Sequence, residues 1–98
     1  MSVDAAEELC IALIKRAAGM SRIDRVISHG WVSATFIGAR HELVMRVAHG
    51  LADAFADGLE EAEFDLRGNF VADIAVVSRA AAAEETVFWI EALTIEAA

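Results

Sequence analysis

Two runs rich in β-branched and aromatic residues fill the last third of the chain, at residues 70–79 and 85–95. Such residues are favoured in strands because their side chains pack well on a pleated surface. The link between the runs, residues 79–84, is mostly alanine and is short enough to form a turn. The pattern therefore predicts a long β-hairpin, and the rest of the chain has to supply the layer that covers it.

Side chains alternate between the two faces of a strand, so the predicted hairpin divides into two sets. One set carries no charge and is predicted to face the core: Phe70, Ala72, Ile74, Val76, Phe88, Ile90 and Ala92. The other set mixes apolar residues with charges: Val71, Asp73, Ala75, Val77, Arg79, Glu85, Val87, Trp89, Glu91, Leu93 and Ile95. An ordinary solvent face would be mostly polar. The second face is therefore expected to be covered by a partner, or covered part of the time.

The chain before this hairpin predicts two helices. An amphipathic pattern over residues 2–18 predicts the first, with Ser2 or Asp4 able to cap it and Gly19 as its terminator. A similar pattern predicts the second over residues 51–62, weakened in its later part by Gly58.

A second hairpin is predicted between the helices, from residues 31–37 and 42–48. Its register is argued from the hydrophobic pattern, since a slip of one residue would mix the two faces. The pairing that makes one face wholly apolar sets Val32, Ala34 and Phe36 against Leu43, Met45 and Val47. Trp31 then lies on the other face.

These elements predict an α+β fold with two layers, in the order α-β-β-α-β-β. An antiparallel sheet of two hairpins, with four to six strands, is expected to carry both helices on one face. Residues 1–98 would form a single domain, and a duplicated αββ unit is one explanation of the repeated order. The predicted core comprises Leu9, Leu13, Phe36, Met45, Phe55, Leu59, Ile74, Val76, Phe88 and Ile90.

Composition excludes several classes of function. The net charge of −8 argues against a nucleic-acid partner, because phosphate binding depends on clustered lysine and arginine. No apolar run approaches the roughly 20 residues that span a bilayer, and the acidic start is unlike a signal peptide. The single cysteine, Cys10, cannot form an internal disulfide. We therefore expect a cytoplasmic protein that binds neither nucleic acid nor membrane.

No pattern predicts catalysis, a metal or a cofactor. The histidines, His29, His41 and His49, are too dispersed to indicate a metal site, which needs three or four converging ligands. No glycine-rich nucleotide-binding pattern occurs. Asp73 and Glu91 have the aliphatic neighbours that acid–base catalysis would need, but solubilising charges explain them as well. No catalytic residue is predicted.

The mixed face of the sheet therefore carries the functional prediction. We expect a non-enzymatic assembly or binding subunit that forms a homodimer through this face. The predicted interface residues are Trp31, Val71, Asp73, Val77, Arg79, Trp89, Glu91, Leu93 and Ile95. One alternative is a small-ligand-binding protein or small enzyme that uses the same face as a pocket wall. Another is that one of the two helices covers this face.

Overall fold

The computed structural model describes residues 4–97, and its elements follow the predicted order α-β-β-α-β-β. They are α1 (Ala5–Arg16), β1 (Ser21–Val32), β2 (Ile37–Ala48), α2 (Ala52–Ala56), β3 (Asn69–Ala82) and β4 (Glu85–Glu96). Short 3₁₀ turns, His49–Leu51 and Leu59–Glu61, flank α2. The predicted α+β class is confirmed.

The four strands form one antiparallel sheet in the order β1-β2-β4-β3. The two hairpins therefore meet through β2 and β4 at its centre. Residues of α1 and α2 share one core cluster with a single face of this sheet, which confirms the two-layer arrangement with both helices on one side. Within the predicted core, Val76 is only partly buried and the following are buried: Leu9, Leu13, Met45, Phe55, Leu59, Ile74, Phe88 and Ile90.

The turn of the first hairpin lies earlier in the chain than the hydrophobic pattern indicated. The Ser33 N–H donates to the Phe36 carbonyl (2.8 Å), and the Ser33 hydroxyl accepts from the Phe36 N–H (2.9 Å). Serine favours such turns because its hydroxyl takes the place of a backbone partner. Phe36 is therefore 48% exposed in the turn, and β1 extends back to Ser21. The predicted pairing of Val32, Ala34 and Phe36 with Leu43, Met45 and Val47 is wrong.

Two bulges in β3 change which of its residues face the helices. Its register against β4 shifts between Val71 and Asp73 and again between Val76 and Ser78. Each shift adds one residue to β3, and a slip of one residue moves the following side chains to the opposite face. Ile74 stays in the core as predicted. The strand ends do not follow the predicted alternation, since Phe70 and Ser78 lie opposite the helices and Val71 and Arg79 lie on the helix side.

Helix α1 is fixed at both ends by hydrogen bonds. Asp4 Oδ1 accepts from the Ala6 N–H (3.0 Å), which confirms the predicted cap, and the earlier part of the predicted helix lies outside the described residues. At the other end, the Arg16 guanidinium donates to the carbonyls of Phe55 (2.8 Å) and Asp57 (2.6 Å). The end of α1 is thereby tied to the end of α2.

Helix α2 is shorter than the predicted helix over residues 51–62. Gly58 adopts φ 71°, a left-handed conformation that costs glycine little and that interrupts the helix. The predicted helix is therefore replaced by α2 and the two 3₁₀ turns beside it. Neither α1 nor any other helix within residues 4–97 is long and apolar enough to cross a membrane.

The buried carboxylate of Glu8 holds the start of β3 against α1. It accepts hydrogen bonds from Asn69 Nδ2 (2.8 Å), from the Gly68 N–H (3.3 Å) and from the Arg67 N–H. The hydrogen bond from Asn69 is the main cause that holds the pKa of Glu8 below its ordinary value, although burial opposes it. The charged form of Glu8 is therefore part of the folded structure.

Candidate functional site

The face of the sheet opposite the helices, which we call the outer face, is the candidate site. Over the five levels that all four strands share, strand pairing places five residues of each strand on it. Val87 is the only buried residue of this set, and the others are half-buried or exposed. The outer face comprises Arg22, Arg25, Ile27, His29 and Trp31 of β1; Gly38, Arg40, Glu42, Val44 and Arg46 of β2; Val87, Trp89, Glu91, Leu93 and Ile95 of β4; and Phe70, Asp73, Ala75, Ser78 and Ala80 of β3.

Most of the predicted interface residues come together on this face. Six of them belong to the paired set, and Val77, at the second bulge of β3, lines the same groove as Trp89. The structure therefore places these charged and apolar residues on one surface, as the sequence predicts. The residues brought together are Trp31, Asp73, Val77, Trp89, Glu91, Leu93 and Ile95.

Val71 and Arg79 do not belong to the outer face, because the bulges of β3 turn them toward the helices. Val71 lies opposite Thr94 and packs against the core cluster. The Arg79 guanidinium lies 5.0 Å from the centre of the Phe88 ring and 2.9 Å from Asp53 of α2. Both residues therefore join β3 to the helix layer, and their predicted place on the outer face is wrong.

Among the outer-face residues that sequence reasoning missed are Arg25, Ile27, Arg40 and Phe70. The first three depend on the register of the first hairpin, which the turn at Ser33 sets. A serine able to close a tight turn was the signal that could have found them. Phe70 had no such signal, because the bulges leave no mark on the hydrophobic alternation.

The apolar part of the outer face is centred on Trp89, which is 40% exposed. Val44 of β2 and Ser78 of β3 lie directly opposite it, and Val77 beside them is 57% exposed. Farther along β4, Ile95 pairs with the exposed Phe70, so β4 carries apolar side chains for most of its length. These apolar side chains would be removed from contact with water if another surface packed on the outer face.

Trp31 is already covered in part by its own sheet. It lies opposite Gly38, where an added Cβ would come within 2.9 Å of the indole Cζ2 and 2.2 Å of the Thr94 carbonyl oxygen. Gly38 is therefore required for this close approach. Trp31 closes one end of the outer face, while Trp89 remains the more exposed of the two tryptophans.

Acidic side chains lie in the middle of the outer face. Glu42 and Glu91 are directly opposite each other on the two central strands, and Asp73 lies one level farther along β3. Like charges in directly opposite positions are destabilising. The proximity of these carboxylates therefore lowers the stability of the fold.

All arginines of the outer face lie on β1 and β2, and those at one end are paired. Asp24 accepts from Arg22 (3.3 Å) and Arg46 (2.5 Å), and Arg22 also approaches Glu85 (3.2 Å). The hydrogen bond with Arg46 lowers the pKa of Asp24 and raises the pKa of Arg46. These exposed pairs fix the local geometry and contribute little to stability.

Arg25 and Arg40 differ from these paired arginines. Within residues 4–97, neither forms a salt bridge. Asp73 and Glu91, on strands β3 and β4 of the same face, are likewise without a salt bridge in this part of the chain. The outer face therefore presents uncompensated arginines on β1 and β2, and uncompensated carboxylates in the middle of β2, β3 and β4.

Two grooves run over the outer face. The larger, of about 440 Å³, is lined by Val44, Val77 and Trp89 among others. The smaller, of about 260 Å³, contains Arg40 and Asp73. A depression of about 830 Å³ lies elsewhere, between α1 and residues 63–67. The two grooves adjoin the predicted site, so the outer face rather than this depression is the candidate.

A buried polar cluster on the helix side was not predicted. His41 is buried, with Nδ1 2.7 Å from the Ser28 hydroxyl and Nε2 2.8 Å from the Thr94 hydroxyl. Thr94 donates its proton to the Ala39 carbonyl, so His41 Nε2–H donates to Thr94 and Nδ1 accepts from Ser28. Burial lowers the pKa of His41, and the Asp4 charge partly opposes this. The cluster holds a neutral histidine and has no carboxylate to complete a catalytic triad.

The described residues offer no metal centre. Within residues 4–97, no group of three or more histidine, cysteine, aspartate or glutamate side chains is placed to hold a metal ion. His41 is occupied by Ser28 and Thr94, and His49 Nδ1 lies 3.1 Å from the Thr86 hydroxyl. The side chains of the outer face are suited instead to packing against another surface and to forming ion pairs with it.

Comparison with protein-family models, with curated proteins and with solved structures finds no match for this chain.

Proposed function

We propose that this protein is a non-enzymatic assembly or binding subunit that forms a homodimer through its outer face. The carrying observation is the position of both helices on one side of the sheet, where they form the core. The other side is left with Trp89, Val77 and Phe70 exposed around a common surface. Apolar patches larger than a few hundred Å² on a soluble domain usually mark an interaction site.

The distribution of charge supports a second copy as the partner. The chain carries a net charge of −8, yet four of its seven arginines lie on the outer face. Two copies of so acidic a protein repel each other over most of their surface. The outer face carries these arginines as well as carboxylates, so it allows a closer approach than an acidic surface does.

Oligomeric state tests the proposal directly. Sedimentation velocity or light scattering of the wild-type protein, from micromolar to several hundred micromolar, should show a monomer–dimer equilibrium. Trp89→Asp should shift it to a folded monomer, because a buried unpaired carboxylate would replace an apolar contact. Val32→Asp is the matched control, since Val32 is 76% exposed on a strand but lies at the hairpin tip.

Three results would contradict the proposal. A wild-type protein that stays monomeric at every concentration would exclude the homodimer. A dimer that Val32→Asp breaks and Trp89→Asp leaves intact would place the contact elsewhere. A monomer whose Trp89 fluorescence responds saturably to a small molecule would favour the alternative in which the outer face is a pocket wall.

A further inference from the structure

We propose that the two copies are related by a two-fold axis running along β4 on the outer face. This inference rests on the proposed homodimer and specifies its arrangement. In it, β4 packs on β4 of the second copy, and β2 packs on β3 of the second copy. Three properties of the outer face support this arrangement: the apolar character of β4, the sizes of facing side chains, and their charges.

Strand β4 is the most apolar of the four on the outer face. From Val87 to Ile95 its side chains there are Val87, Trp89, Leu93 and Ile95, with Glu91 the single charge in this stretch. The fully buried centre of an interface is apolar, and its rim is polar. An axis along β4 places this apolar strand at the centre, against itself.

The strands on either side of β4 are complementary in size. Because β2 and β3 flank β4, a two-fold axis along β4 sets β2 of one copy over β3 of the other at the same level. Large side chains then meet small ones at three levels. These facing pairs are Arg46 with Ala80, Val44 with Ser78, and Glu42 with Ala75. At the level of Ile95, Phe70 of one copy meets the Trp31 indole that covers Gly38 of the other, so two apolar rings face each other.

At the level of Leu93 the facing side chains have opposite charge. Arg40 and Asp73 both lie beside Leu93, on opposite sides of β4. The two-fold axis brings Arg40 of each copy over Asp73 of the other, so the pair forms twice. Within residues 4–97 neither side chain has a salt bridge in the monomer, so both charges are available. Such complementarity fixes orientation as well as adding affinity.

Glu91 is the feature that limits this dimer. It lies on the axis, so it meets Glu91 of the second copy, with Glu42 beside each. An axis midway between β2 and β4 would be worse, because it would set Glu42 against Glu91 twice. The axis along β4 keeps the facing carboxylates to a single symmetric pair, and this pair weakens the dimer.

The contact area agrees with a weak dimer. Three strands spaced about 4.8 Å apart and five levels about 7 Å apart give a footprint of about 14 by 34 Å, or about 500 Å² on each copy. Stable interfaces bury about 800 Å² on each partner, so this one is at the low end. Dissociation is therefore expected in the micromolar range or above.

Charge reversal tests the arrangement. Arg40→Asp and Asp73→Arg should each weaken dimerisation at least about tenfold, because each sets like charges against each other twice. The double variant should return to within about threefold of the wild type. Arg25→Asp is the matched control: it reverses an unpaired arginine of β1, outside the contact, and should change the constant little. Glu91→Gln should tighten the dimer.

The outcomes separate this inference from the proposed function. If Trp89→Asp breaks the dimer but the double variant does not recover, the outer face is the interface and the axis along β4 is wrong. If Arg25→Asp weakens the dimer as much as Arg40→Asp, β1 lies inside the contact and the axis is also wrong. A monomeric wild type would overturn both. Circular dichroism of each variant confirms that lost association does not come from unfolding.

Discussion

At the scale of single residues, His41 shows how a buried polar group is kept neutral. Its two ring nitrogens are satisfied by Ser28 and Thr94, so it remains buried without an unpaired donor or acceptor. A proton added to the ring would place a charge in a poorly solvated position. The fold therefore resists protonation of His41, and burial lowers its pKa for that reason.

This resistance predicts a loss of stability in mild acid. As pH falls below about 6.5, the histidine of the unfolded chain takes up a proton before that of the folded chain does, which favours unfolding. Above that pH the effect is absent. Urea unfolding at pH 7.5, 6.5 and 5.5 should show a falling free energy of unfolding that His41→Gln largely removes. His29→Gln, at an exposed position, should keep the wild-type slope.

Phe88 tests the assignment of the core face. It is fully buried, and its ring centre lies 5.2 Å from that of Phe55 of α2. Phe88→Ala should lower the free energy of unfolding by about 3–5 kcal/mol, through lost burial and the cavity that remains. Phe36→Ala, in the exposed turn, should cost far less. Equal losses in chemical denaturation would mean that the two faces have been exchanged.

Glu8 makes a separate prediction at lower pH. Its pKa is lowered in the folded chain, so its contribution to stability is present above about pH 4.5 and is lost as pH falls through the folded pKa. Glu8→Ala would leave Asn69 and two backbone N–H groups without their acceptor, at a cost of about 2–3 kcal/mol. Denaturation at pH 7 and pH 3.5 should show the variant's deficit shrinking in acid.

At the scale of elements, the first hairpin depends on the close approach of Trp31 to Gly38. A methyl group at Gly38 would collide with the Thr94 carbonyl, which is backbone and cannot move aside without disturbing β4. Gly38→Ala should therefore destabilise the protein by about 1–3 kcal/mol. Gly30→Ala is the matched control on β1, because no atom lies within 4 Å of its added Cβ. Thermal melts in which the two variants lose equal stability would contradict this account.

The sequence was a good guide to elements and a poorer one to registers. The element order, the helix cap at Asp4 and the core position of Phe88 all follow from local patterns that need no distant partner. The bulges of β3 do not, because they are decided by how β3 twists against β4. The bulges place Val71 and Arg79 on the helix side. Between the bulges, Ile74 follows the predicted alternation. The candidate site was thus predicted on β4, where pairing is regular, and only in part on β3.

At the scale of the whole molecule, shape distinguishes the modes of association. The domain measures 45 × 23 × 20 Å, so its long direction is about twice its thickness. Two copies stacked through their outer faces, with sheets about 10 Å apart, should have a longest dimension of roughly 60 Å. Copies joined end to end would reach about twice the 45 Å length of one. Small-angle X-ray scattering of the dimer should give the shorter value, and the longer one would exclude stacked sheets.

The two edges of the sheet are not equivalent, and this bears on how the chain avoids polymerising. The bulges in β3 break the straight row of N–H and C=O groups that a further strand would need, whereas residues 25–32 of β1 pair with β2 without interruption. A fibril built strand upon strand requires two receptive edges on every subunit. In residues 4–97, β3 offers no unbroken row as long as that of β1, so accidental pairing through β1 is expected to end with two chains. A sequence that is 57% hydrophobic is thereby expected to tolerate crowding without growing into fibres.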